Sequence, residues 1–198
     1  VGLALLVLFI AVIAGRLAGG RIAGLAHLPI KGLGILVGAL AAQLAGTLLA
    51  GVAQPLYPLG LGLSAALTGW FAIRNRRLAG IPLAGLGLVL NALVVVLNGE
   101  MPVSEHAAAR AGLMSRLDLA GDPRHEAIGP DTRLGFLGQV IPVPIPVHRE
   151  VDSVGDVLLA AGIGLLVFTG MVVQPPSPST SRWDKVPDTG VVGADEMP

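Results

Sequence analysis

The chain is built from long apolar runs separated by short polar breaks. The runs cover residues 1–15, 33–53, 56–73, 78–97 and 154–173. Crossing the hydrocarbon core of a bilayer takes about 20 apolar residues in a helix. The run 33–53 carries no charge and a single Gln43. The run 56–73 is opened by Pro55 and Pro58 and closed by Arg74-Asn75-Arg76-Arg77. The run 78–97 is broken only by glycines, Pro82 and Asn91, and 154–173 has Asp156 near its start. The first run is short, and it spans only if Arg16 extends its head to the interface. The pattern predicts an all-α fold, a polytopic bundle of about five transmembrane helices.

Between the fourth and fifth runs lies a segment, 98–153, too long for a simple turn. Ser104 is placed to cap a weakly amphipathic helix running from Glu105 to about Ala120. The later stretch from Phe136 to Val147 is apolar, with Pro142, Pro144 and Pro146 at every second position. That spacing forbids a helix and favours an extended course, which must be shielded by protein or rest at the interface. The polar stretch 174–198 reads as a disordered cytoplasmic tail, with Trp183 as its one interfacial candidate.

Composition sharpens the membrane reading. The 198 residues are 53% hydrophobic and only 13% charged, where soluble domains carry about a quarter. Mean hydropathy is +0.76. The 28 glycines suit helices that pack backbone to backbone. In the second run Gly34, Gly38, Ala42, Gly46 and Ala50 recur every fourth residue. They line one face, for packing within the monomer or, less favoured, for a homodimer seam.

Net charge is zero, but no acid precedes Glu100, whereas Arg16, Arg21, Lys31, Arg74, Arg76 and Arg77 all stand in the first half. Basic loops belong on the cytoplasmic side. With the N-terminus outside, the loops 16–32 and 74–77 fall inside the cell and 98–153 falls outside. The expected location is the plasma membrane, multi-pass, with the C-terminus cytoplasmic. A cleaved signal peptide ending near Gly15 would leave the basic 16–31 segment outside, against that rule.

Candidate chemistry is sparse. Asn91 and Asn98 are seven residues apart on one face of the fourth helix. They make either a polar strip leading to an outer site or ordinary interhelical hydrogen bonds, the second being preferred. Asp156 follows Ser153 at capping-box spacing, so a structural role competes with proton carriage. Arg133 can pair with Asp131 or Asp156, or hold a lipid phosphate. His106, His125 and His148 lack zinc spacing, GxSxG is absent, and there is no Cys. No metal, cofactor or catalytic residue is expected. Basic residues have no aromatic company, which argues against nucleic acid.

Four strings stand out together: residues 97–104 (Leu-Asn-Gly-Glu-Met-Pro-Val-Ser), 131–134 (Asp-Thr-Arg-Leu), 136–142 (Phe-Leu-Gly-Gln-Val-Ile-Pro) and 153–159 (Ser-Val-Gly-Asp-Val-Leu-Leu). In order and spacing they resemble the bacterial membrane family called domain of unknown function 5317. The resemblance implies that Asn98, Met101, Pro102, Arg133, Gly138 and Asp156 form one shared outer-face assembly. It also implies an acidic residue where this chain has Gln139, so chemistry at that position is not expected here. The family brings no activity with it. The residues therefore point to a non-enzymatic membrane protein that binds a lipid or a partner membrane protein through Asn91, Asn98, Met101, Arg133 and Asp156. The rival is a small transporter or membrane enzyme with a polar cavity among Asn91, Asn98, Arg133 and Asp156.

Overall fold

In the computed structural model, residues 2–53, 55–113, 124–144 and 149–173 are described. Five apolar helices form the body: α1 (Gly2–Leu17), α2 (Leu33–Leu49), α3 (Leu56–Arg74), α4 (Ile81–Asn98) and α6 (Val154–Val172). They alternate in direction and pack as neighbours in the order α2, α3, α4, α6, α1. Three of them, α3, α4 and α6, are long and apolar enough to cross a membrane; α1 and α2 are shorter apolar helices of 16 and 17 residues. Their large side chains face outward, among them Leu5, Phe9, Ile13, Val37, Leu44, Leu48, Leu63, Ile73 and Val96. The interior is rich in small residues and glycines, with Leu61, Phe71, Ile81 and Met171 as its larger members. An apolar exterior of this extent is compatible with a lipid surrounding.

The seams depend on glycine. Where α2 crosses α3, a methyl group on Gly46 or Gly60 would run into the backbone of the other helix. The small face of α2 is thus engaged within the monomer at this crossing, while Gly34 has open space around it. On the α4–α6 seam Gly87 and Gly155 meet backbone to backbone.

The segment between α4 and α6 corrects the all-α expectation. It contains β1 (Met101–Val103), α5 (Glu105–Ala111), β2 (His125–Ala127), β3 (Gln139–Pro144) and β4 (Arg149–Ser153), the strands forming one sheet in the order β2-β1-β3-β4. β1 runs parallel to both β2 and β3, and β3 and β4 pair antiparallel. The prolines explain the outcome. β3 touches β1 only where Gln139 meets Val103, so Pro142 and Pro144 lie beyond that contact and their missing N–H groups break no ladder with β1. An extended strip with open backbone groups then needs a partner, and β4 supplies it.

Ser104 caps α5 as its spacing predicts, its Oγ accepting from the Ala107 N–H at 3.2 Å. The helix ends early, however, at left-handed Gly112. The rest of the expected helix lies partly outside the described residues, as does the whole tail 174–198 with Trp183.

The cap rests on the bundle through one apolar cluster and holds a second within itself. Met101 joins Leu61, Ala65, Ala92, Val94 and Val95 of α3 and α4, with Leu134 and Leu137 packed against them. Ala107, Ala108 and Ala111 of α5 pack on Val151 of β4, which leads straight into α6.

Candidate functional site

Because the helices alternate, the acids collect at one end, together with Arg110, Arg124, Arg133 and Arg149, while the other end carries basic residues alone among the described residues. Arg16, Arg21, His27, Lys31, Arg74, Arg76 and Arg77 sit at this basic end, on helix termini and the turns between them. The opposite end bears the cap and, among the described residues, every carboxylate.

At the acidic end the start of α6 is tied to α4. Ser153 Oγ accepts the Asp156 N–H at 2.9 Å, and Asp156 Oδ2 accepts the Ser153 N–H at 2.9 Å, closing the capping box. Asn91 Nδ2 donates to Asp156 Oδ1 at 2.8 Å. The Ser153 hydroxyl lies 2.7 Å from Asn91 Oδ1 and 2.8 Å from Asp156 Oδ2. One hydroxyl proton serves two acceptors, so these two contacts are filled one at a time. Gly155 makes the ring possible: a β-carbon there would collide with Asn91 Oδ1 and the Gly87 carbonyl.

Beside this ring opens a cavity of about 510 Å³, lined by Leu3, Ala4 and Leu159 on its apolar side and by Gln139, Arg149, Glu150, Asp152 and Asp156 on its polar side. Glu150 reaches α1, accepting the Gly2 N–H at 2.9 Å and the Leu3 N–H at 2.5 Å. A carboxylate there satisfies backbone donors at a helix N-terminus. Asp152, two residues on along the strand, is only 5% exposed, and its Oδ2 receives no hydrogen bond. Burial pushes the Asp152 carboxyl up to about 6; the charges of Glu150 and Asp156 and a hydrogen bond with Glu150 act in the same direction, and the positive amino group at the head of α1 acts against them. The three carboxylates line one cavity without converging, and among the described residues no group of three His, Asp or Glu could hold a metal ion. At the basic end a smaller hollow of about 280 Å³ is bounded by Gly19, Arg21, Gly24, His27 and Met171.

The residues singled out in the sequence therefore divide. Asn91 and Asp156 come together, and Asp156 lines the cavity. Asn98, Met101 and Arg133 form a different assembly. Asn98 Nδ2 donates to the Val94 and Arg133 carbonyls at 2.7 and 2.9 Å, and its Oδ1 accepts the Arg133 N–H at 2.8 Å. It is the Arg133 backbone that Asn98 holds; the side chain is exposed and does not pair with Asp156. Met101 is core, buried against α3 and α4. Sequence reasoning passed over Asp152 and Glu150, because they stand in a polar run that reads as a solvated loop. Their spacing of two, directly before a capped helix, was the available signal, since alternate residues of a strand share a face.

Comparison with known proteins agrees with the four-string resemblance. A family described as a family of unknown function, DUF5317, matches residues 27–168. An uncharacterized protein of Thermotoga maritima is 35% identical over 115 residues, 57% of this chain and 62% of that protein. The match thus spans less than two thirds of that relative's length. No solved structure matches the chain. With the family model covering α2, α3, α4, the cap and most of α6, the chain is a member of the DUF5317 family of unknown function.

Proposed function

We propose that this chain is a five-span integral membrane protein, N-terminus outside and C-terminus cytoplasmic, that binds a lipid or other amphiphile beneath its extracytoplasmic cap. It acts as a binding protein rather than an enzyme. The observation that carries this reading is the position of the larger cavity. Leu3, Ala4 and Leu159 belong to the outermost turns of α1 and α6, and Glu150 and Asp152 to the strand above them. A molecule filling the cavity meets apolar helix on one side and polar sheet on the other, the gradient a lipid crosses at the headgroup level. The segregated charges support the orientation, since the basic end fits the cytoplasmic face. Helices α1 and α2 span in this reading with their ends extended by Arg16 and Lys31.

The ring of Asn91, Ser153 and Asp156 favours a second reading, a small transporter. A carboxylate that touches both the cavity and the α4–α6 seam is placed to pass a ligand or proton inward.

Native mass spectrometry of the protein gently extracted from its own membrane tests the first reading. Lipid retained at fixed stoichiometry, and lost in a Leu159→Trp variant that fills the cavity, supports it. A second polypeptide at fixed stoichiometry with no retained lipid makes the cap a protein-docking surface instead. Orientation is separable, because the chain has no cysteine of its own. Asp131→Cys should react with an impermeant thiol reagent in intact cells, and Arg76→Cys should not.

A further inference from the structure

We propose that the cap cavity takes a primary ammonium group, carried on an apolar chain, at the unfilled oxygen of Asp152. The proposal rests on the reading of the cap as a binding surface and names the chemistry it recognises.

The cavity carries more negative than positive charge. Glu150 and Arg149 face it from β4 and Asp156 from α6. β3 contributes the neutral Gln139 and the chain after α5 Leu113, while α1 contributes Leu3 and Ala4 and, at its head, an amino group whose positive charge acts on Glu150 and Asp152. Arg149 is exposed at the rim, its Nη1 3.5 Å from the Gly112 carbonyl, so it does not neutralise the interior. Asp156 is already filled by Asn91 and Ser153, and Glu150 by the start of α1. What remains is Asp152, buried, with an oxygen that accepts from nothing. Leaving a buried acceptor unfilled costs stability unless something else occupies it. A proton or a cationic donor does so, and the two compete for the same carboxylate.

The class of cation follows from geometry. The carboxylates do not converge tightly enough for a metal ion. A primary ammonium offers three donors that diverge. One meets Asp152, a second has Gln139 on the same lining, and the attached chain lies along Leu3 and Leu159. A quaternary ammonium has no N–H for the Asp152 oxygen and fits less well.

The test uses the full chain in detergent with hexylamine as probe and hexanol as its neutral counterpart, followed by calorimetry and thermal shift. Hexylamine should bind about tenfold more tightly at pH 7.5 than at pH 5, because a carboxyl titrating near 6 is mostly protonated at the lower value. Binding at pH 5 should release about one proton, read from buffers of different ionisation enthalpy. Asp152→Asn should weaken binding at least about tenfold at pH 7.5 and abolish its pH dependence. Equal affinity at the two pH values, equal binding of hexanol, or undiminished binding by Asp152→Asn each overturns the proposal. Should Asp152→Asn fail to fold, proton release in the unaltered protein decides the matter, and its absence overturns the proposal. Failure of the lipid reading looks different. Amine binding with this pH signature but no co-extracted lipid removes that reading and leaves this site standing. Co-extracted lipid retained equally by Asp152→Asn keeps the lipid reading and removes the amine site.

Discussion

The two ends of the bundle are closed by the same device, and the comparison separates structure from function. At the basic end Asn75, just past α3, donates to the Phe71 carbonyl four residues back and to the Lys31 carbonyl, both at 2.9 Å. Its Oδ1 accepts the Lys31 N–H at 2.8 Å. At the acidic end Asn98, the last residue of α4, makes the same three kinds of bond to Val94 and Arg133. Each amide finishes a helix and pins the backbone of an arriving basic residue, whose own charge stays in water. Asn98 looked functional in the sequence and Asn75 did not, yet they do one job. What distinguishes the acidic end is the buried polar matter beyond its clamp: Asn91, Ser153 and above all Asp152. A clamp needs no buried charge. A carboxyl oxygen held out of water without a donor costs stability, so its presence calls for a ligand or a proton to fill it.

Breaking the clamps tests their equivalence, and the largest loss is expected first. Asn75→Ala should cost about 2–3 kcal/mol, because Asn75 is 4% exposed and water cannot replace three lost bonds there. Asn98→Ala, whose bonds to Arg133 lie at the surface, should cost about 1 kcal/mol. Unfolding in detergent measures both, and a larger loss at Asn98 would break the comparison.

Asp152 sharpens it through pH. Its carboxyl, raised in the folded protein to about 6 from 3.8, binds a proton more tightly folded than unfolded. Stability from this group is therefore complete below pH 3.8 and is lost as pH rises through 6. The fall should amount to about 2 kcal/mol between pH 4 and 7.5. Asp152→Asn should remove that fall and leave the protein more stable than the parent at pH 7.5. A parent whose unfolding midpoint does not decline across this window would show Asp152 to be solvated.

The smallest effect belongs to Arg133. Arg133→Ala should change stability by less than about 0.5 kcal/mol, since only its backbone is held and its side chain is exposed. A loss near that of Asn98→Ala would mean that the guanidinium has a partner of its own, and the clamp would no longer be a backbone device.

The same residues show how far a sequence can be read. The five helices were legible because an apolar run forces its backbone to satisfy itself, and a helix does so locally. The caps at Ser104 and Ser153 were legible for the same reason, each depending on residues three apart. The sheet was not. β1 is three residues long, and its partners begin at His125 and Gln139, so no local pattern announces the pairing. The strip 136–147 declared only that it would be extended. Asn91 and Asp156 were each noticed, but their meeting across 65 residues depends on Gly87 and Gly155 touching, which is a matter of helix packing.

The sequence by itself determined the apolar helices, their alternating directions, the segregation of charge and the family, because hydrophobicity, capping and charge bias act over one helix or one turn. Only the tertiary structure decided which polar groups are structural and which are left unsatisfied. Asn98 and Arg133 became a clamp, Met101 became core, and Asp152, unremarkable in a polar run, became the buried carboxyl with one oxygen left unfilled. Whether a polar atom is filled depends on what the rest of the chain brings within about 3 Å of it, and that distance is set by packing rather than by residue order.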